Sequence, residues 1–317
     1  MKPSKKSVLV VGDVMLDKWA YLKSVRKSPE TDAPIVQLEK EFMEMGGAGN
    51  ALRHLANLST GDHEFIGVIG HDPDGQKLIE ISKTIEAQTQ LIMDDNRETT
   101  VKERYFLDGV PIYRHDREST TDIDKGIESK IFLKIEKSII SKDAVLLSDY
   151  AKGVLSQDLI SKVIILAKSL KIPIISDPGL GRIQLHAGCD TIKPNAKEWQ
   201  VFVDVMGSEA SALSMLFSKG TKSVVVTQGA RGIRLIEKGI EFQSHVENSN
   251  DATDVTGAGD SVAAALSLLV NSSGFEPNLL PILNMVGGQT VSKSRTELPS
   301  EIDMESSWSA VTALQRK

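Results

Sequence analysis

The sequence has a single cysteine and lacks long apolar runs, and each absence excludes a class of protein. Cys189 has no partner within the 317 residues, so an internal disulfide is excluded and a reducing, cytoplasmic environment is expected. The basic N-terminus precedes an apolar stretch of only residues 8–11, too short for a signal-peptide core. No segment approaches the roughly 18 uncharged apolar residues of a membrane span, so we expect no membrane association.

An excess of positive charge is also absent. The chain has 37 Lys and Arg against 43 Asp and Glu, for a formal net charge of −6. This balance argues against a dedicated partner of nucleic acids or anionic membranes, although it leaves room for a local basic pocket. The six histidines show no metal-ligand spacing, so each is more typical of a surface or core position.

The pattern of apolar residues predicts an α/β fold. Residues 8–11 and 65–69 are typical of buried strands, and residues 47–58 and 74–86 of helices. From residue 123 onward, helical and strand patterns alternate, which favours a mostly parallel central sheet flanked by helices. We find no linker or repeat, and at this length one large core is feasible. We therefore expect a single domain over residues 1–317.

Two segments have the alternating pattern of half-exposed strands instead. Residues 19–40 alternate polar and apolar side chains, and residues 99–106 and 110–115 form a predicted hairpin around Asp108-Gly109. Together these segments, about 19–40 and 99–116, predict a small β lid that protrudes from the main body.

A glycine-rich turn precedes an apolar helix near the C-terminal end. The run Asp254-Val255-Thr256-Gly257-Ala258-Gly259-Asp260 leads into residues 261–270. Free amides and the helix dipole would bind phosphate there, and Asp260 would stay ionised and accept a proton from a hydroxyl. The alternative is an ordinary helix start with an acid in its first turn. A P-loop and a complete dinucleotide fingerprint are both missing.

Other motifs have a chemical and a structural interpretation. Asn195 and Glu198 suit Mg²⁺ held through water, although taken alone the motif favours an N-cap closed by a capping box. The loop 227–232 ends a buried strand, where ligands bind in open α/β sheets, although a plain hairpin turn explains it about as well. Asp13, Asp17 and Asn50 could bind sugar hydroxyls, or serve turns and packing.

Basic side chains gather in the predicted lid and after one predicted strand. A second phosphate on the acceptor would explain them, whereas charges on exposed strands usually serve solubility. They are Lys102, Arg104, Arg114, Arg117 and Lys152.

These motifs together resemble the ribokinase-like carbohydrate kinases, also called the PfkB family. Gly46-Gly47…Asn50, Asn195…Glu198 and the 254–260 run occur in that family's order and separation, across nearly the whole chain. The resemblance implies Asp260 as catalytic base, an anion hole at Gly257, Ala258 and Gly259, and cofactor contacts at Lys193, Asn195, Glu198, Thr227, Gly229, Gly232 and Asn284. It implies Mg²⁺ near Asn195 and Glu198, and sugar contacts at Asp13, Asp17, Gly46, Gly47, Asn50, Arg104, Arg114, Asp116 and Lys152.

Within that family the chain is most similar to heptose 7-phosphate kinases. The likeness rests on residues 10–17, 26–30 with Pro34, 147–153, and the Arg114-x-Asp116 pair. The chain departs at Met45, where proline is usual, at Gly49, where alanine is usual, and at Gly179, where the heptose kinases have lysine. Family members often dimerise through the β lid, and some bind a monovalent cation such as K⁺ near the Asp254 loop.

The resemblance implies transfer of the ATP γ-phosphoryl group to the anomeric hydroxyl of a heptose 7-phosphate. The rivals are another sugar, a sugar acid or a nucleoside as acceptor, and, in a different class, a non-catalytic sugar-phosphate sensor. Some related kinases are fused to a nucleotidyltransferase. The chain ends soon after the kinase region, so we expect that step to belong to another protein.

Overall fold

Short β-branched runs form the central sheet, as their burial on both faces requires. The computed structural model describes residues 5–245, 257–271 and 274–291. The strands are β1 (Val8–Gly12), β2 (Val14–Lys27), β3 (Pro34–Gly47), β4 (Glu64–Gly70), β5 (Gln88–Asp94), β6 (Val101–Leu107), β7 (Val110–Arg117), β8 (Ala144–Ser148), β9 (Ile174–Asp177), β10 (Thr191–Ile192), β11 (Ser223–Thr227), β12 (Ile233–Glu237) and β13 (Ile240–Ser244). The helices are α1 (Ala48–Leu58), α2 (Pro73–Ser82), α3 (Lys125–Ser138), α4 (Gln157–Leu170), α5 (Ala196–Met206), α6 (Glu209–Ser218), α7 (Ala258–Leu269) and α8 (Leu280–Val291).

Nine strands form the main sheet, in the order β13-β12-β11-β10-β9-β8-β1-β4-β5. Pairing is parallel from β11 to β5, and β12 and β13 are added antiparallel at one edge. The chain builds outward from β1 in one direction through β4 and in the other through β8. In open α/β sheets, a crevice opens where the strand order changes direction, here at the carboxyl ends of β1 and β8.

Helices cover both faces of this sheet, which confirms the expected α/β class. Alternate residues of β1 point to opposite faces: Val8 and Val10 join a core with α1, α2, α7 and α8, and Leu9 and Val11 join one with α3 to α6. Helix α7 is buried along nearly its whole length, as its apolar sequence requires.

A second sheet of four strands, in the order β3-β2-β6-β7, forms the lid. Strands β2 and β6 pair in parallel, and the other pairs are antiparallel. Asp108 and Gly109 join β6 and β7 with φ of 48° and 83°, the positive angles that the predicted hairpin turn needs. Strands β2 and β3 are longer than predicted, because the pattern analysis missed their buried ends next to the main body.

Two details differ from the prediction. The helix predicted to reach residue 86 ends at Ser82, and the chain then forms the edge strand β5. The segment of β5 begins with Gln and Thr residues and is only partly buried, so its pattern carried little strand signal.

No single helix in the described ranges is long and apolar enough to cross a membrane, although α5 and α6 together reach that length across a 92° bend.

Candidate active site

The crevice between β1 and β8 brings distant polar residues together. Asp13 follows β1 directly, and Asp149 and Tyr150 follow β8, whose parallel register with β1 pairs Gly12 with Ser148. Asp177 ends β9, the next strand along the sheet. The carboxyl edge thus collects four polar side chains from three neighbouring strands.

Helix α7 begins at this edge, and its first amides have no side-chain partner among the described residues. Gly257 precedes it at φ 83°, and no described side chain caps its first turn. The Lys193 Nζ lies 3.8 Å from the position that a Cβ on Gly259 would occupy. Uncapped amides beside an ammonium group fit a phosphate, so the residues present suit the anion that the sequence predicts here.

Asp260, in the first turn of α7, is buried with only 7% of its surface exposed. Asn50 Nδ2 donates a 2.7 Å hydrogen bond to Asp260 Oδ2, and the Tyr150 hydroxyl donates to Oδ1. Burial raises the pKa of Asp260 to about 6, although both hydrogen bonds and the Lys193 charge lower it. A carboxylate with such a pKa is mostly ionised near neutral pH and accepts a proton readily.

Asp13 organises the loop after β8. Its carboxylate accepts backbone N–H bonds from Tyr150 at 2.8 Å, Lys152 at 3.0 Å and Val154 at 3.0 Å. Only 1% of Asp13 is exposed, and burial and the Asp149 charge raise its pKa. The structure therefore places Asp13 beneath the loop, in the turn-capping role that the sequence left open.

A buried network supports the same loop from the other side. His186 Nε2 lies 2.8 Å from Asp149 Oδ2, Arg182 Nε donates to that oxygen at 2.6 Å, and His186 Nδ1 lies 2.7 Å from Ser176 Oγ. Burial raises the pKa of Asp149, but His186 and Arg182 outweigh it and hold the pKa below its usual value. These residues lack a sequence motif, and only the strand order brings them together.

Asp177 and Lys193 link the base to the Asn195 motif. Lys193 Nζ lies 2.9 Å from Asp177 Oδ1, and both charges act on the pKa values of Asp260 and Glu198. Burial raises the pKa of Asp177 despite the ammonium partner. Asp177, which the sequence analysis did not select as a site residue, thus lies between the predicted base and the predicted metal motif.

Asn195 and Glu198 form a complete capping box on α5. Asn195 Oδ1 accepts from the amides of Lys197 and Glu198 at 2.9 Å, and Glu198 Oε2 accepts from the Asn195 amide at 2.7 Å. Within the described residues, no group of three or more His, Cys, Asp and Glu side chains is arranged to hold a metal. The structural interpretation of this motif is therefore observed, and its role with Mg²⁺ stays a prediction.

The predicted nucleotide contacts follow one edge from this motif. Thr227 N donates to Pro194 O at 3.0 Å, which sets the end of β11 beside Asn195. Gly232 has φ 88°, and a Cβ there would lie 2.0 Å from Ser244 O, so only glycine fits. The remaining members are Gly229, in the turn between β11 and β12, and Asn284, whose Nδ2 donates to Ser244 O at 2.9 Å.

The glycines before α1 make room for acidic groups. A Cβ on Gly46 would lie 1.9 Å from Asp17 Oδ2, and one on Gly47, at φ 61°, would lie 2.5 Å from Asp13 O. Asp17 in turn accepts a 2.8 Å bond from Arg104 Nη1. These glycines thus serve close packing around the two aspartates.

Two departures from the family pattern compensate each other. A Cβ on Gly49 would lie 2.3 Å from Met45 Cγ, and Met45 is fully buried. The methionine side chain occupies the space that the methyl group of an alanine would take. Gly179 is also restricted, since a Cβ there would lie 3.0 Å from Asp149 O.

The lid directs a cluster of cations at the site. Lys102 Nζ lies 5.7 Å from the centre of the Tyr150 ring, and burial and the nearby Arg114 and Lys152 lower the pKa of Lys102. Arg114 forms a bidentate pair with Asp116 at 2.7 and 2.8 Å, and Lys152 pairs with Glu118 at 2.7 Å. Lys102, by contrast, has no hydrogen-bonded carboxylate partner among the described residues.

Asp260, Asn50 and the loop after β8 thus meet at one crevice, the predicted nucleotide contacts lie further along the sheet, and one predicted part is outside the described ranges. Asp254, and with it the monovalent-cation prediction, belongs to residues 246–256, which the structure does not describe. Arg117 lies apart from the cluster and pairs with Asp74 at 2.6 Å. Tyr150 was part of a recognised run, but its contact with Asp260 could not be deduced, since 110 residues separate the two.

Comparison with known proteins places the chain among carbohydrate kinases. Residues 5–274 match the pfkB family carbohydrate kinase model. The chain is 33% identical over 308 residues to bifunctional protein HldE of Caulobacter vibrioides, covering 94% of this chain and 62% of that protein. It is 31% identical over 317 residues to HldE of Hyphomonas neptunium, covering 98% and 65%. The chain therefore spans less than two thirds of the length of these relatives.

Solved structures agree on the fold. Phosphofructokinase-2 from Escherichia coli in complex with potassium superposes with a TM-score of 0.73 at 18% identity, covering 98% of this chain and 100% of that one. Ribokinase from Giardia lamblia gives a TM-score of 0.70 at 14% identity, covering 95% and 99%.

The fold, a mostly parallel sheet between helices with a β lid, is that of these solved kinases, and the matching family model makes the chain a carbohydrate kinase. The family follows from the match over most of the chain. This protein belongs to the pfkB family of carbohydrate kinases, and ATP is the phosphoryl donor that this family implies.

Proposed function

We propose that this kinase phosphorylates D-glycero-β-D-manno-heptose 7-phosphate at its anomeric hydroxyl, with ATP as donor. The product would be the 1,7-bisphosphate, which feeds ADP-heptose and lipopolysaccharide core synthesis. The observation that carries the proposal is the cation cluster at the crevice, in which Lys102 feels the charges of Asp17 and Asp116 but has no hydrogen-bonded carboxylate among the described residues. The likeness of residues 147–153 to heptose kinases, and the HldE relatives, support the same acceptor.

Asp260 is the base in this proposal. ATP, when bound, supplies the γ-phosphoryl group. The buried carboxylate orients the acceptor hydroxyl and takes its proton, while the Gly257, Ala258 and Gly259 amides and Lys193 stabilise negative charge on the transferring group. The lid excludes water that would otherwise hydrolyse the donor.

The donor side would use the edge from Asn195 to Asn284. Mg²⁺ usually keeps several waters and takes few protein ligands, which suits Asn195 and Glu198 acting through water. Burial and the Asp177 charge raise the pKa of Glu198, and a cation placed there would offset both effects. A monovalent cation near Asp254 stays part of this proposal.

The acceptor side would use the lid and the loop after β8. Asp17, Arg104, Arg114 and Asp116 offer paired donors and acceptors for sugar hydroxyls. The acceptor's phosphate would bind Lys102 and draw Lys152 from its pair with Glu118.

The test is ADP release by the full chain with Mg-ATP and a panel of acceptors. The panel contains the heptose 7-phosphate, the same heptose without phosphate, ribose, fructose 6-phosphate and nucleosides. Fast turnover with the heptose 7-phosphate alone is expected. Preference for another acceptor would keep the kinase and refute the heptose assignment. ATP binding without turnover on any acceptor would favour a sensor.

A pair of lysine variants tests the phosphate contact. Lys102→Met should raise KM for the heptose 7-phosphate about tenfold or more, because a charge-assisted hydrogen bond contributes about 1.5–3 kcal/mol. The control, Lys23→Met, removes an exposed lysine of the same lid sheet. An unchanged KM in Lys102→Met would refute the role of this lysine.

We also propose that two copies associate through their lids. Strands β3 and β7 are the edges of the lid sheet, and they expose Val36, Leu38, Val110, Ile112 and Tyr113. Exposed apolar edges of this kind favour pairing with another sheet.

A further inference from the structure

The proposed reaction leaves one phenol at the base unexplained. Tyr150 Oη donates to Asp260 Oδ1, while Asn50 Nδ2 donates to Oδ2 at 2.7 Å. Each carboxylate oxygen therefore has one donor, and each retains acceptor capacity for another group. The two donors come from separate elements, the loop after β8 and helix α1.

The backbone holds this phenol in place. Tyr150 N donates to Asp13 Oδ2 at 2.8 Å, and the next amide, Ala151 N, donates to Asp149 Oδ1 at 2.8 Å. Ala151 has φ 57°, a left-handed conformation that costs a non-glycine residue on the order of 1 kcal/mol. Two buried aspartates thus fix the loop, in spite of this cost, in the conformation that sets the phenol against the base.

We propose that Tyr150 is a positioning residue for Asp260, an inference that rests on the proposed function. By holding Oδ1 while Asn50 holds Oδ2, it fixes the carboxylate plane so that a remaining lone pair faces the acceptor hydroxyl. That hydroxyl loses its proton to Asp260 as its oxygen bonds to the γ-phosphorus. The bond from that phosphorus to the bridging oxygen breaks and leaves ADP, and Tyr150 keeps its own proton.

The electrostatics around the base give this role a pH signature. The groups that act on Asp260 are Tyr150, Asn50, Asp177 and Lys193. Burial raises the pKa of Asp260 to about 6, and the bond from Tyr150 opposes that rise. Burial also raises the pKa of Tyr150 well above its usual value, so the phenol stays a protonated donor. Losing the phenol therefore raises the pKa of the base further.

The experiment compares the pH profile of kcat/KM for the wild type, Tyr150→Phe and a control. The full chain is assayed with Mg-ATP and the heptose 7-phosphate between about pH 5 and 9. A hydrogen bond of about 1 kcal/mol predicts that the acid limb moves up by roughly one pH unit in Tyr150→Phe. At pH 6 this shift corresponds to about a fivefold lower kcat/KM, because less of Asp260 is ionised. The control, Tyr105→Phe, removes a lid phenol beside Glu103 and should leave the limb unchanged.

The outcomes are separable. An unmoved acid limb in a Tyr150→Phe protein with wild-type melting temperature overturns the role of Tyr150. If that variant does not fold, replacing all tyrosines with 3-fluorotyrosine tests the same bond. The more acidic phenol is a stronger donor, so the limb should move to lower pH, and no movement refutes the proposal. Asp260→Asn serves as reference: if it retains turnover, the proposed function fails, whereas its inactivity beside an unaltered Tyr150→Phe refutes only the inference.

Discussion

At the scale of single residues, the site depends on one buried carboxylate with two neutral donors. Burial alone would keep Asp260 protonated to higher pH, and the bonds from Tyr150 and Asn50 bring its pKa back to about 6. A base whose pKa lies just below neutrality is mostly ionised yet still accepts a proton efficiently.

Asp260→Asn should fold and bind Mg-ATP but lose turnover by about 10²-fold or more, because general base catalysis typically contributes that much. The amide keeps the shape of the side chain and cannot accept the proton. The measurements are kcat with the heptose 7-phosphate and the Kd for Mg-ATP. A variant with near-wild-type kcat would exclude Asp260 as base.

Arg53 should influence turnover without touching a substrate. Its Nη1 donates to Asn50 Oδ1 at 3.2 Å and to Glu44 Oε2 at 3.0 Å, and this fixes which end of the Asn50 amide faces Asp260. Arg53→Met should lower kcat about tenfold, as expected for losing a charge-assisted bond of about 1.5 kcal/mol. Arg53→Lys, which keeps a cationic donor, should retain part of the kcat that Arg53→Met loses. Wild-type kcat in Arg53→Met would contradict this role.

At the scale of elements, the ends of strands and helices carry the chemistry. The start of α7 has no side-chain cap among the residues that the structure describes, whereas the start of α5 is closed by its own capping box. Two helices that begin at the same edge of the sheet therefore serve different purposes. One is left open for an anion, and the other has its first amides satisfied internally.

Variants of Asn195 separate its structural role from its predicted metal role. Asn195→Ala should lower the free energy of unfolding by about 1 kcal/mol, because the N-cap is lost, whereas Asn195→Asp keeps the cap. Chemical denaturation measures the change in stability, and the KM for Mg-ATP measures any role of Asn195 in binding the metal. If Asn195→Ala only lowers the free energy of unfolding and leaves the KM for Mg-ATP unchanged, the residue is a cap and the metal prediction is wrong.

At the scale of the whole molecule, the lid gives the protein both a cover and an exposed apolar edge. Leu38 on β3 is 53% exposed beside Val36, which is 40% exposed. We expect light scattering to give the mass of a dimer, and Leu38→Glu to give a monomer, because a buried charge at such an interface is costly. The matched substitution Leu133→Glu, on the exposed face of α3, should leave the dimer intact. A monomeric wild type would refute the lid interface.

Much of the architecture follows from sequence pattern alone. Apolar runs and their spacing determined the α/β class, the Asp108-Gly109 hairpin and the position of α7, because period and turn chemistry are local properties. The pattern failed for β5 because its first three residues are polar and its apolar residues are consecutive, so no alternation of polar and apolar side chains marked it.

The sequence by itself also determined which residues could do chemistry, since glycines, carboxylates and amides at set spacings are recognisable motifs. Only the tertiary structure decided what each one touches. The contacts of Asp260 with Asn50 and Tyr150 span 210 and 110 residues, and the support from His186 to Asp149 spans 37. Such contacts depend on the order of strands in the sheet, and strand order is set by long-range packing that no local spacing encodes.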